Sequence, residues 1–153
     1  MRRTIVALAV GVIALPAFAQ APSVMGTWLT ASKVAEIRIA PCADPARGPI
    51  CGTVVKLHDP KGPDDKPIAP ELATDANNVE PGLRGRKILG MVLLYDFRKG
   101  STPNSYVEGT IYNGENGKTY NANVSLQADD TLRVRGYVGR SIFGETQVWT
   151  RVQ

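Results

Sequence analysis

The chain has 153 residues, of which 43% are hydrophobic and 21% charged, with 15 Gly, 11 Pro, two Cys and one His. That balance excludes wholesale disorder and any collagen-like or linker-like bias, and the length suits a single domain. The formal charge is +4. No Lys/Arg cluster is interleaved with aromatics, which argues against nucleic acid as a partner.

The first element is a signal segment. Met1-Arg2-Arg3 is a basic start, Ile5 to Leu15 is apolar, and Pro16 precedes the small-residue cleavage pattern Ala17-Phe18-Ala19. This is the layout of a cleaved secretory signal peptide, too short for the ~20 apolar residues of a spanning helix. The expected division is residues 1–19 as signal and 20–153 as one mature domain. That implies a periplasmic or secreted protein with no membrane span in the mature chain. Cleavage removes Arg2 and Arg3, lowering Lys plus Arg from 18 to 16 against 14 acids, a net +2.

Strand patterns dominate the remainder. Gly26 to Thr30 opens the series. Val34 to Ala40 alternates, with Ala35, Ile37 and Ile39 on one face. Cys42 and Cys51 follow, separated by a loop rich in Pro and Gly. Two cysteines in an exported chain suggest a disulfide. A redox pair would want C-x-x-C spacing, and a zinc site would need ligands the chain lacks. Gly52 to Leu57 is β-branched and short. Residues 58 to 87 break the regularity with five prolines, a length that marks a functional or mobile loop, with a helical turn near Pro70 to Ala73.

Ile88 to Phe97 is nearly continuous apolar and is counted as one strand, either buried on both sides or lying under a cover. Tyr106 to Tyr112 and Thr119 to Leu126 alternate. The latter sets Tyr120, Ala122, Val124 and Leu126 on one side. Asn116-Gly117 between them is a hairpin signal in which both central residues tolerate positive φ. Leu132 to Val138 and Ile142 to Val152 complete eight strands. Short turns at Asp129-Asp130 and Gly139-Arg140 make the set an antiparallel meander, which hides its edges by closing. The expected fold is all-β: an eight-stranded antiparallel up-and-down barrel with one long loop between strands 3 and 4.

Several segments carry a family resemblance. They are G-T-W at 26–28, the two cysteines running into C-G-T-V-V at 42–55, D-A-N-N at 75–78, L-R-G-R-K-I-L-G-M at 83–91, G-T-I-Y-N-G-E-N-G-K-T-Y at 109–120 and the tail from Leu132 to Val152. On these the chain resembles the secreted bacterial proteins grouped as domain of unknown function 2147. It departs from them at Asn78-Val79-Glu80, where the family more often reads Asn-Pro-Asp. The resemblance implies a lipocalin-like barrel and no settled activity. Lipocalin-like barrels open with G-x-W and carry an Arg near the end of the last strand. Trp28 and Arg151 match this. A guanidinium on the indole face would plug one end of the barrel.

Chemistry is sparse. His58 adjoins Asp59, but neighbours in an extended chain point to opposite faces, and no G-x-S-x-G elbow exists. Asp59, Asp64 and Asp65 lack the spacing of a calcium loop. The expectation is a non-enzyme with no cofactor and no metal site. Arg133, Arg135 and Tyr137 share one face of their strand, and if it points inward they could hold an anionic head group. The periodicity alone leaves the inward face open. Two readings follow: a barrel that binds a small amphipathic anion or lipid, or an interaction module with a filled barrel and an envelope protein as partner.

Overall fold

A computed structural model of the chain describes residues 21–140 and 142–152, so the expected signal segment lies outside the described residues. Nine strand segments follow in order: β1 (Gly26–Leu29), β2 (Ala35–Ala40), β3 (Cys51–Leu57), β4 (Val92–Tyr95), β5 (Arg98–Lys99), β6 (Ser105–Asn113), β7 (Lys118–Leu126), β8 (Thr131–Tyr137) and β9 (Gly144–Arg151). Each strand pairs antiparallel with its neighbour in the sheet, β1 pairs with β9, and β4 pairs with β6. The sheet therefore closes. β4 and β5 lie against successive parts of β6, so they are one interrupted stave, and the barrel has eight.

The interruption corrects one expectation. The apolar run from Ile88 to Phe97 is strand only over Val92–Tyr95. Ile88 to Met91 makes a turn, with Met91 N bonded to the Ile88 carbonyl. At the other end Asp96 adopts positive φ, its N–H bonds to the carbonyl of Arg47, and Phe97 is buried against the backbone of Gly109. Apolarity here reports burial of a turn and a kink as well as a strand.

Alternation sorts the two faces. Ala35, Ile37 and Ile39 face inward with Val54, Leu94, Ala122, Val124, Leu132, Val134 and Trp149, and these form one buried core around Trp28. Leu132 and Val134 inward put Arg133 and Arg135 on the outer wall. The turn at 114–117 forms as expected, but only Gly117 takes positive φ. The last strand begins at Gly144, so Ile142 and Phe143 belong to the hairpin tip.

One end of the barrel is sealed. Trp28 is 0% exposed and donates its indole N–H to the Val24 carbonyl at 2.8 Å. Arg151, its register partner on β9, lies 4.2 Å from the ring centroid. The guanidinium donates to the carbonyls of Met25 and Ser23 and to both oxygens of Asp130. Gly26 sits at φ +133, and a Cβ there would meet Arg151 Nη1 at 2.6 Å, so the first strand needs glycine at this point. Cys42 and Cys51 form a disulfide that ties the 41–50 loop to the start of β3.

Candidate functional site

A cleft of ligand size lies outside the barrel. It has a volume of about 490 Å³, lies over the outer wall of β4, β6 and β7, and is bounded by two loops. From the disulfide loop comes Arg47, on a short 3-10 helix (Pro45–Arg47) capped by the Asp44 side chain. Its guanidinium lies 3.9 Å over the Tyr95 ring and 3.6 Å from Asp96. From the long 58–91 connection come Asn78, Val79, Glu80, Leu83 and Arg86. Arg86 stacks 4.8 Å over the ring of Tyr112. Val92, Gly117, Lys118 and Thr119 complete the lining. The walls thus join three cations, one acid, two tyrosines and three partly exposed aliphatic side chains. The volume falls within the ~300–1,000 Å³ of small-molecule sites.

A buried polar knot holds the long connection on the wall. Asp75 is 1% exposed. Its carboxylate accepts from Tyr112 Oη at 2.5 Å, Asn78 Nδ2 at 2.7 Å and Arg86 Nε at 2.8 Å. Its N–H bonds to the Arg86 carbonyl. Asn78 also donates to Tyr112 Oη, accepts from Glu80 N, and takes the Arg84 Nε–H on its carbonyl. A buried carboxylate is tolerated only when so satisfied. Burial first, and then the adjacent Asp75, push the Tyr112 phenol above its ordinary value of 10.0, so it stays a neutral donor. Burial is the largest single influence on Arg86 and opposes its charge, but Asp75 and Tyr112 together outweigh it and raise its pKa. Gly117, at φ +69, lets the β6–β7 turn touch residues 77–78; a Cβ there would lie 2.0 Å from the Asn77 carbonyl oxygen.

The structure distributes the residues singled out from the sequence. Trp28 meets Arg151, and Cys42 meets Cys51. Arg133, Arg135 and Tyr137 do not meet inside the barrel. Arg133 is exposed, Arg135 donates to Thr146 Oγ1 and the Ile142 carbonyl, and Tyr137 lines a second, smaller outer hollow of about 200 Å³. His58 bonds to Glu36 at 2.9 Å, beside Lys56. Burial works to raise the Glu36 carboxyl, but bonds from Lys56 and His58 overcome it and hold it low. Among the described residues, no cluster of three or more His, Cys, Asp or Glu could hold a metal ion. No described helix is long and apolar enough to cross a membrane.

Sequence reasoning missed Arg47, Asp75, Asn78, Arg86, Tyr95 and Tyr112 as site residues. The available signal was D-A-N-N inside a Pro-rich loop: acidic and amide side chains where only turns were expected.

Comparison with known proteins fits this picture. The family described as "Uncharacterized protein conserved in bacteria (DUF2147)" matches residues 26–151. The chain belongs to this family. No curated protein matches it. Among solved structures, protein HP1028 of Helicobacter pylori, described as belonging to the lipocalin family, superposes with a TM-score of 0.69 at 21% identity. The match covers 87% of this chain and 85% of that one. At that identity the likeness shows the fold, a lipocalin-like barrel.

Proposed function

We propose that this member of the family is an exported, periplasmic binding protein rather than an enzyme. Its ligand is a small amphipathic anion, held in the outer cleft and not in the barrel interior. The observation that carries this is the lining of the cleft. Arg47, Arg86 and Lys118 supply cationic donors, while Val79, Leu83 and Val92 supply apolar surface. Guanidiniums already stacked on tyrosines are ordered before a ligand arrives, so less entropy is lost on binding. Two features support export: the signal layout of residues 1–19 and the bridged cysteines. Two features support binding over catalysis: the lone imidazole is tied to Glu36, and neither cysteine is a free thiol.

The test is a screen of fatty acids, alkyl phosphates and alkyl sulfates by native mass spectrometry, followed by calorimetry on the hits. Arg47→Ala and Lys118→Ala should each weaken binding by about tenfold, as loss of one partner of an ordered charge pair does. Lys99→Ala and Arg135→Ala should leave it unchanged. An effect confined to Arg135→Ala would move the site to the β8–β9 wall. Failure of every amphipathic anion to bind would favour the second reading, an interaction module, for which the packed core around Trp28 and Trp149 already speaks.

A further inference from the structure

Val138, Ile142 and Phe143 are the most open large apolar residues described, at 68%, 71% and 69% exposure. All three sit on the tip that joins β8 to β9. They are held in place. Val138 N bonds to the Phe143 carbonyl at 3.3 Å, and Phe143 N to the Arg140 carbonyl at 3.0 Å. Arg135 braces the tip from below through the Ile142 carbonyl and Thr146. An ordered, solvent-facing cluster of this kind marks a surface built to be covered.

The charge around the tip says what covers it. Arg140 lies on the tip, and the Arg135 guanidinium reaches the Ile142 carbonyl beside it, while Arg133 lies four rungs further down the ladder, opposite Val148. Glu145 is the one acid on the described part of this hairpin from β8 to β9. Area argues against a protein partner seated here alone. A stable interface needs about 800 Å² per partner, far more than three side chains on one turn can offer. A bilayer interface needs only a few apolar side chains with cations at headgroup level. We propose that the β8–β9 tip docks on an anionic lipid surface. Val138, Ile142 and Phe143 enter the interfacial layer, and Arg140 stays among the lipid phosphates with its apolar stem buried. This inference is independent of the cleft.

The experiment is co-sedimentation of the purified protein with vesicles of phosphatidylcholine, alone or mixed with phosphatidylglycerol. The mixed vesicles should retain the protein, and added salt should weaken binding. The double variant Ile142→Ser with Phe143→Ser should bind about tenfold more weakly or worse, since each lost side chain forfeits its transfer from water. Arg140→Ser should weaken binding several-fold. Both variants alter exposed side chains, so the melting temperature should hold. Phe143→Trp should show blue-shifted emission on mixed vesicles. The proposal falls if the wild type stays in the supernatant, or if the double variant pellets equally well. Equal retention on uncharged vesicles would remove the anionic part. Concentration-dependent self-association that the serine variants abolish would give the tip to a second copy instead.

Discussion

Arg151 serves the seal of the barrel through every part of its head group. One nitrogen edge chelates Asp130, the remaining donors reach two carbonyls of the N-terminal segment, and the flat face covers Trp28. Stacked partners share one interaction, so their truncations should not add. In a double-mutant cycle, Trp28→Ala and Arg151→Ala should show a coupling of about 0.5–2 kcal/mol in chemical unfolding. A coupling near zero would mean that the stacking contributes nothing beyond each residue's own packing. Asp130 adds a pH signature. The bond from Arg151 lowers its pKa below 3.8, against a smaller opposing effect of burial. A carboxyl lowered on folding contributes stability that is present above its unfolded value and lost as pH falls through the folded one. The melting temperature of the wild type should therefore drop on acidification below pH 3.8 more steeply than that of Asp130→Asn. Parallel profiles would show that Asp130 titrates alike in both states.

The long connection between β3 and β4 depends on one carboxylate. Asp75 draws Tyr112 from β6, Asn78 from its own turn and Arg86 from eleven residues on. Tyr112→Phe removes one donor to Asp75 and one acceptor for Asn78. It should cost about 1–3 kcal/mol, the penalty for leaving buried polar groups short of a partner. It should also speed tryptic cleavage after Arg84, Arg86 and Lys87, while the strands stay resistant; unchanged cleavage would show that packing alone holds the segment. This knot explains where sequence reading stops. Alternation in 35–40, 119–126 and 132–138 was legible because a half-buried strand writes its two faces into adjacent residues. The Trp28–Arg151 meeting was legible because an up-and-down barrel makes first and last strands neighbours. Asp75 was not, since its partners lie on a distant strand and across a loop, and no local period encodes them. Arg47 was hidden for the same reason: Asp96 at a kink in the fourth stave receives it, and the apolar run around that kink read as one strand.

At the scale of the whole molecule, the barrel is unevenly laced. β7 and β8 pair over Asn121 to Leu126, and β8 and β9 over Thr131 to Tyr137 without a break. The fourth stave is different. β4 meets β3 only at Gly52 and Thr53, across a bulge, and meets β6 only at Ile111 and Thr110. Two bonds extend the β3 side beyond the strand, Val54 N to the Met91 carbonyl and Gly90 N to the Val54 carbonyl, but both come from the turn that precedes β4; the other short seam, β1 to β9, is closed by Val152 N on the Thr27 carbonyl and by the Arg151 clamp. Local opening takes the path of fewest buried contacts and hydrogen bonds. The first cooperative opening should then release β4 together with the segment around Asp75, leaving the β6–β9 meander paired. Native-state hydrogen exchange should find the ladder amides of β4 exchanging well before those shared by β7 and β8. Reducing the Cys42–Cys51 disulfide should widen the difference, because that bridge fixes the start of β3 and the loop that carries Arg47. The cleft sits across this weak seam, so an anion held between Arg47 and Arg86 should slow exchange in β4 more than in β8. Uniform protection around the barrel, or a ligand effect spread evenly over all strands, would show that the barrel opens as one unit.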